Sequence, residues 1–388
     1  MNGGWEIKRL GDLFDITSSK RVFESDWKRS GVPFYRAREI VKLAEQGFVD
    51  NELFISEEMY DSYSRKYGFP KEGDIMVTGV GTLGRCYVVK NNDRFYFKDG
   101  NIIWLKKKSD IDSRFVEYAF KSDFLRRQID NSVGATVGTY TIIKAKETQI
   151  PVPDIPEQKR IVAILDSAFA AIAKAKANIE KNLENARELF DSYLEKAFTE
   201  PEEDWQVTTF GDCFRLSSGD NLTSKMMNEN GKYSVFGGNG VAGKHDKYNL
   251  EGDNVIIGRV GALCGNARNI KEKIWLTDNA FKIWDFKYDF DNAFLTYLLN
   301  YKKLRDYARQ AAQPVISNSS LKDLLLQFPK SVKKQREMVA RFNKISNEMK
   351  KLNAVYQTKL GGLEELKKSV LQKAFSGELT SSTKSLVA

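Results

Sequence analysis

The chain states nearly all of its local signals twice and in the same order, which constrains its fold more than any other property. Trp5-Glu-Ile-Lys-Arg-Leu-Gly-Asp12-Leu-Phe14 returns as Trp205-Gln-Val-Thr-Thr-Phe-Gly-Asp212-Cys-Phe214. Gly31-Val-Pro-Phe-Tyr35 has a weaker echo in Gly231-Lys-Tyr-Ser-Val-Phe236, and Gly73-Asp74-Ile-Met-Val-Thr-Gly79 returns as Gly252-Asp253-Asn-Val-Ile-Ile-Gly258. Asp99-Gly-Asn101 corresponds to Asp278-Asn279, and Gln149-Ile-Pro151 to Gln327-Phe-Pro329. Gln158-Lys-Arg-Ile-Val162 corresponds to Gln335-Arg-Glu-Met-Val339, and Leu194-Glu-Lys-Ala-Phe198 to Leu371-Gln-Lys-Ala-Phe375. The offset drifts only from 200 to 177. Repeats this long are no solenoid. They are a duplicated domain pair.

Each repeat changes texture once. Its first part is rich in Val, Ile, Phe, Tyr and Gly, which predicts short strands around turns, with a helix over 115–129 and a counterpart over 294–310. After Pro156 the pattern becomes helical. Apolar residues at Ile161, Leu165, Ala168, Ile172, Ala175, Ile179, Leu183, Ala186, Phe190, Tyr193 and Ala197 alternate in steps of four and three, with a stutter at Leu183. The second copy offers Met338, Phe342, Ile345, Met349, Leu352, Tyr356, Leu360, Leu363, Val370 and Ala374. In each helix the shared Phe follows the shared Gln by 40 residues, about 60 Å at 1.5 Å per residue. Gly361-Gly362 should cost the second helix about 2 kcal/mol of propensity, so a bend or weak point is expected there. The first helix leads into the second globular region and the second helix leads out of it. An antiparallel pair with a globular domain at each end follows. The fold class is α+β: two mixed α/β domains separated by two long coiled-coil helices, in a pseudo-twofold internal repeat.

Composition excludes several classes. No apolar run reaches the roughly 18 residues that span a bilayer, and the start carries no basic-then-apolar signal. Three scattered cysteines, Cys86, Cys213 and Cys264, cannot build a disulfide framework, so a reducing, cytoplasmic setting and no membrane are expected. A single histidine leaves no His-rich metal site. The net charge of +9 permits a polyanionic partner. Its distribution is uneven: +2 over 1–155, −1 over 156–200, +2 over 201–333 and +6 over 334–388.

Catalytic motifs fail on inspection. Gly79-Val-Gly81-Thr-Leu-Gly84 matches the dinucleotide fingerprint, but the next residues read as a strand where that site needs a helix. Gly238-Asn-Gly-Val-Ala-Gly243-Lys244-His245 approaches a phosphate-binding loop, yet His245 replaces the Ser or Thr that would hold magnesium. Pro153-Asp154…Glu157-Gln-Lys159 mimics a nuclease carboxylate set at a helix start, where Glu157 suits the helix dipole instead. No Pro-Pro pair exists for an adenine methyltransferase motif. No catalytic, cofactor-binding or metal-binding residue is expected in this chain.

The repeated Trp-x-x-x-x-x-Gly-Asp opening, the Gly-Asp strand into a glycine turn, and Ile150-Pro-Val-Pro-Asp-Ile-Pro-Glu-Gln-Lys-Arg-Ile-Val162 running into a long helix resemble the specificity subunit of type I restriction-modification systems. The likeness spans Trp5 to about Leu379. The second copy departs from it in Phe328-Pro329-Lys-Ser-Val-Lys-Lys-Gln335, with one proline and no Glu before its Gln. The resemblance implies target-recognition domains at 1–155 and 201–333, spacer helices at 156–200 and 334–379, and a flexible tail at 380–388. It implies a non-catalytic subunit that reads a split site in double-stranded DNA and carries two modification subunits on its helices. Restriction subunits would join, with S-adenosylmethionine, ATP and Mg bound to partners and none to this chain.

Base reading needs donors and acceptors at groove edges, and positioning needs cations at phosphates. Loop residues of the right kind are Lys20, Arg21, Arg36, Arg38, Arg85, Lys98, Thr136 and Thr139 in the first domain. In the second they are Lys225, Lys244, His245, Arg259 and Gln313. Trp5 and Trp205 read as core anchors, and Thr78 and Ile257 as flanks of equivalent turns. The rival reading is a stand-alone pseudo-dimeric DNA-binding regulator whose coiled coil is only a ruler. A scaffold with no DNA role is a third.

Overall fold

A computed structural model of the 388-residue chain describes residues 4–130, 138–309 and 314–380. The chain divides into two compact units. One takes residues up to Asn178 and from Thr358 onward, and the other runs Ile179–Gln357.

In the first unit a four-stranded antiparallel sheet places Phe14–Thr17, Ile102–Lys107, Ile75–Thr78 and Cys86–Val88 side by side. A three-stranded sheet of Phe54–Ile55, Val32–Tyr35 and Tyr96–Phe97 contains one parallel pair, Phe34 opposite Tyr96. Glu6–Arg9 pairs with Gln149–Val152 and closes the domain at its base. The second unit repeats this plan. Its four strands are Arg215–Ser218, Ala280–Trp284, Asn254–Gly258 and Ala267–Ile270. Its three are Gly240–His245, Tyr233–Gly237 and Ile274–Leu276, again with one parallel pair, Val235 opposite Trp275. Trp205–Thr209 pairs with Leu325–Pro329. The weak echo at Gly31 and Gly231 has a steric origin. A Cβ there would lie 2.3 Å from the Ile55 carbonyl oxygen or 2.6 Å from the His245 nitrogen.

The drift in offset is localised. Between the paired strands the first unit inserts helices Ala37–Gln46 and Glu57–Tyr67, where the second has only the strand Gly240–His245. These helices lie in a stretch read from sequence as strands and turns. Strand pairing also shifts one equivalence by a residue. Thr78 lies opposite Ile102 and Gly258 opposite Ala280, so Thr78 matches Gly258 rather than Ile257. The helix expected over 115–129 is two, Ser113–Lys121 and Asp123–Asp130, because Ser122 is extended (φ −78°, ψ 152°). Its counterpart ends at Tyr301, since Lys303 turns left-handed (φ 48°) into a short 3-10 turn at Leu304–Tyr307.

The long helices are Ile155–Thr199 and Val332–Ser376, 45 residues each. Pro156 sits in the first turn, where its missing N–H costs nothing. Every seam residue named for the first helix is buried or half-buried, and in the second only Leu352 is exposed. Gly361 and Gly362 stand inside a continuous helix, with open space where side chains would go. In the first unit the helix segments run antiparallel: Phe169 takes the Lys367 ammonium over its ring at 5.4 Å, and Glu157 accepts from Thr380. Ile161 and Leu165 there share a core with Leu371, Ala374 and Phe375. In the second unit Tyr193 meets Phe342 (6.0 Å between ring centroids) and Asn182 donates to Tyr356 (3.2 Å), again antiparallel. Thr380, expected to begin a tail, is buried, while 381–388 lie outside the described residues.

The shared glutamines are structural. Gln158 and Gln335 are fully buried amides at the first turn of each helix. The Gln158 Oε1 accepts from the Asp112 N–H (2.9 Å) while its Nε2 donates to the Pro153 carbonyl (2.8 Å). Asp112 in turn caps the helix Ser113–Lys121 through the N–H groups of Arg114 and Phe115. Gln335 binds the Asp291 N–H (2.7 Å) and the Pro329 carbonyl (2.9 Å), and Asp291 caps Asn292–Tyr301. One amide thereby locks long helix, closing strand and domain helix together in each unit.

Candidate nucleic-acid interface

In the first unit several loops converge on one end of the two sheets. The Ser18 hydroxyl donates to the Ile102 carbonyl (2.9 Å), and Ser19 donates to that of Phe97 (2.6 Å). The Gly79 N–H donates to the Asn101 carbonyl (2.9 Å), the Tyr140 N–H to that of Gly79 (2.9 Å), and the Lys98 N–H to that of Tyr35 (2.8 Å). This ladder gathers Lys20, Arg21, Lys98, Arg36 and Thr139, while Arg85, at the end of the glycine turn, lines a separate cavity with Glu45, Lys121 and Lys368. Thr136 lies outside the described residues.

Their charges are not equally available. Arg36 binds Glu39 through its backbone N–H (2.9 Å) and guanidinium (3.1 Å), and Arg38 bridges Glu39 and Glu52. Burial would raise the Glu39 carboxyl, but these two guanidiniums and the Arg36 N–H hold it below the usual carboxylate range. Arg21 pairs with Asp99 (3.0 Å). Among the described residues Lys20 and Arg85 are exposed and have no carboxylate partner, and the Lys98 ammonium lies 6.0 Å from the Trp27 ring.

The glycine turn between Thr78 and Cys86 is a strand-to-strand connection, which removes the dinucleotide reading. Gly81 (φ 68°) and Gly84 (φ 66°) occupy the left-handed region, which favours glycine. Gly261 (φ 94°) and Gly265 (φ 88°) do the same in the second unit, where the Gly265 N–H donates to the Gly258 carbonyl (2.8 Å) as Gly84 does to Thr78 (2.9 Å).

That second turn presents Arg259. Its N–H donates to the Asn279 carbonyl (2.9 Å), its carbonyl accepts from Ile316 (2.9 Å), and its guanidinium reaches the Asp278 carbonyl (3.3 Å). Asn239, at the tip of the Gly237–Gly240 hairpin turn, braces the loop by accepting from the Leu263 N–H (2.9 Å). A cleft of about 300 Å³ opens between hairpin and turn, with Asn239, Val260, Thr277 and Asn279 on its walls. The near-match to a phosphate-binding loop is this hairpin, with no helix behind it. Lys244 and His245 lie at its far end, roughly 13 and 16 Å from Gly240 at 3.3 Å per residue. There His245 meets Trp275 edge-on (4.9 Å), and the Lys244 carbonyl accepts from Asn228, beside Lys225. The three are neighbours of each other but not of Arg259. Gln313 lies outside the described residues.

Arg268 was not legible as a site residue. It lies on the strand leaving the glycine turn, opposite Ile256 and facing the gap between the two sheets. It is half-buried, and its Nη1 is fully buried with no hydrogen-bond partner.

A family model described as the type I restriction modification DNA specificity domain matches residues 2–185 and again 202–357. The chain is 28% identical over 192 residues to the putative type I restriction enzyme specificity subunit S.HindORF215P of Haemophilus influenzae, covering 49% of this chain and 47% of that protein. It is 29% identical over 220 residues to the type I restriction enzyme EcoprrI specificity subunit of Escherichia coli, covering 53% and 54%. The match therefore spans about half the length of these two relatives. It is 21% identical over 412 residues to the putative MjaX specificity subunit of Methanocaldococcus jannaschii, covering 97% and 93%. Two solved structures share the fold at 17% identity. One, from work on complex assembly and conformational transition of the type I R-M system, superposes with a TM-score of 0.79 over 98% of this chain and 99% of that one. The other, the HsdS subunit of Thermoanaerobacter tengcongensis, gives 0.61 over 98% of both.

Proposed function

Since the chain belongs to the family of type I restriction modification DNA specificity domains, we propose that it is the DNA-reading subunit of such a complex, each unit reading one half of a split target. The observation that carries this reading is the repeated sheet plan, parallel pair included, bearing different loops at the same end. A shared scaffold supplies the same approach to a duplex twice, and unlike loops supply unlike base contacts. Exposed Lys20 and Arg85 suit phosphates, as do Lys225 and Lys244. The family assignment does not favour a stand-alone regulator. Two modification subunits would dock on the long helices, bind S-adenosylmethionine and flip an adenine in each half-site. Restriction subunits would bring ATP- and Mg-dependent translocation and cleavage, leaving this chain without a catalytic step, in the cytoplasm.

The test is single-molecule mapping of modified adenines in host DNA, with and without this gene. A split motif that disappears on deletion supports the reading. A motif that persists, or methyl transfer by the isolated chain, overturns it.

A further inference from the structure

Resting on that reading, we propose that Arg268 is a sequence-determining contact of the second unit, presenting its guanidinium to the edge of a guanine in that unit's half-site. Among the described residues its fully buried Nη1 meets no acceptor, and no carboxylate acts on the guanidinium. Burial without a counter-charge pulls the guanidinium below its ordinary range. A half-buried cation left unsatisfied is costly, and an arriving ligand that brings acceptors removes that cost.

Position supports the assignment. Arg268 is the second residue of its strand, immediately beyond the Gly258–Asn266 turn, and its guanidinium lies beside Gly240 of the hairpin. The nearest guanidinium atom would be 3.5 Å from a Cβ at Gly240, so the glycine leaves this face uncovered. The first unit handles the same place differently. Tyr87 pairs with Met76 as Arg268 pairs with Ile256, and its hydroxyl is already donated to Asp93 (2.8 Å). A position closed in one unit and open in the other belongs to what distinguishes the two half-sites. Guanine is favoured over phosphate because the side chain is held between two sheets. A fixed planar fork matches the O6 and N7 acceptors bidentately, whereas phosphate capture suits the mobile lysines of the rim.

The experiment co-expresses the full chain with its modification subunits, as wild type, R268A and R268K, and maps modified adenines on a plasmid library. R268A should lose discrimination at one G·C position of one half-site by tenfold to roughly a hundredfold. The other half-site and the spacing should be unchanged. R268K keeps the charge but not the fork and should relax the same position. An unchanged motif in both variants overturns the proposal, as does uniform weakening across all sequences, which would mark a phosphate contact. A lowered melting temperature with an unchanged R268K motif assigns Arg268 to structure and also overturns it. If the wild type yields no split motif, the functional reading itself fails, which is a separate outcome.

Discussion

Replacing Gln335 by Leu should destabilise the second unit by removing three hydrogen bonds at once. The amide binds the Asp291 N–H (2.7 Å) and the carbonyls of Pro329 (2.9 Å) and Asp289 (3.1 Å), and it is fully buried. Leucine of similar volume keeps the packing but leaves those groups without partners or water. An orphaned buried group costs about 1–3 kcal/mol. Even if one finds a new partner, a loss of about 3 kcal/mol remains, or roughly 6–12 °C in Tm for a unit of this size. Gln158→Leu removes two bonds and should cost less. Calorimetry supplies the Tm, and hydrogen exchange locates the damage: Asn292–Tyr301 for Gln335, Ser113–Lys121 for Gln158. Melting of Gln335→Leu within a degree of the parent would refute the reasoning, because it would mean the amide holds nothing that leucine cannot.

Gly361→Ala with Gly362→Ala should raise stability by about 1 kcal/mol each, because both sites are helical and open; urea denaturation measures it. Burial pushes the Cys86 and Cys213 thiols up to about 12 and raises Cys264 as well. All three are buried in the native fold and should resist alkylation at pH 8 until the protein unfolds, which mass spectrometry of iodoacetamide adducts reads directly. Four residues inserted near Leu183 lengthen the first helix by about 6 Å, approaching two base pairs. Motif mapping should then show a spacer longer by one to two pairs with both half-sites intact.

What the sequence made legible depends on where the determining physics sits. The long helices could be read because their seam repeats along the chain, and burial follows that seam down to the stutter at Leu183. Helix Ala37–Gln46 was missed because only Ile40 and Leu43 anchor it among its apolar residues, too few to establish a period. Its other signals, the Glu39 side chain returning to the Arg36 N–H and the left-handed Gly47, were present but local. The break at Ser122 was hidden because the apolar pattern runs straight across it, while the chain turns on one extended residue. Equivalence at the glycine turns slipped by one since glycines align by identity but strands align by pairing. Lys20, Arg21, Arg36, Lys98 and Thr139 converge because their loops leave neighbouring strands. Lys244 and His245 part from Arg259 because a hairpin carries them the length of a strand away. Arg268 could not be read at all, since an unpartnered guanidinium is a property of packing and not of spacing.

The central claim is that two independent readers share one chain, and exchange of one reader tests it most directly. Both ends of residues 205–327 lie in the Trp205–Thr209 and Leu325–Pro329 pair that closes the second domain, so a graft there keeps the closing ladder and the buried Gln335. The segment is replaced by its counterpart from another family member, the hybrid is expressed with its modification subunits, and modified adenines are mapped. The account predicts one half-site replaced by the donor's, with the other half-site and the spacing retained. Alteration of both half-sites, or of neither, would contradict it.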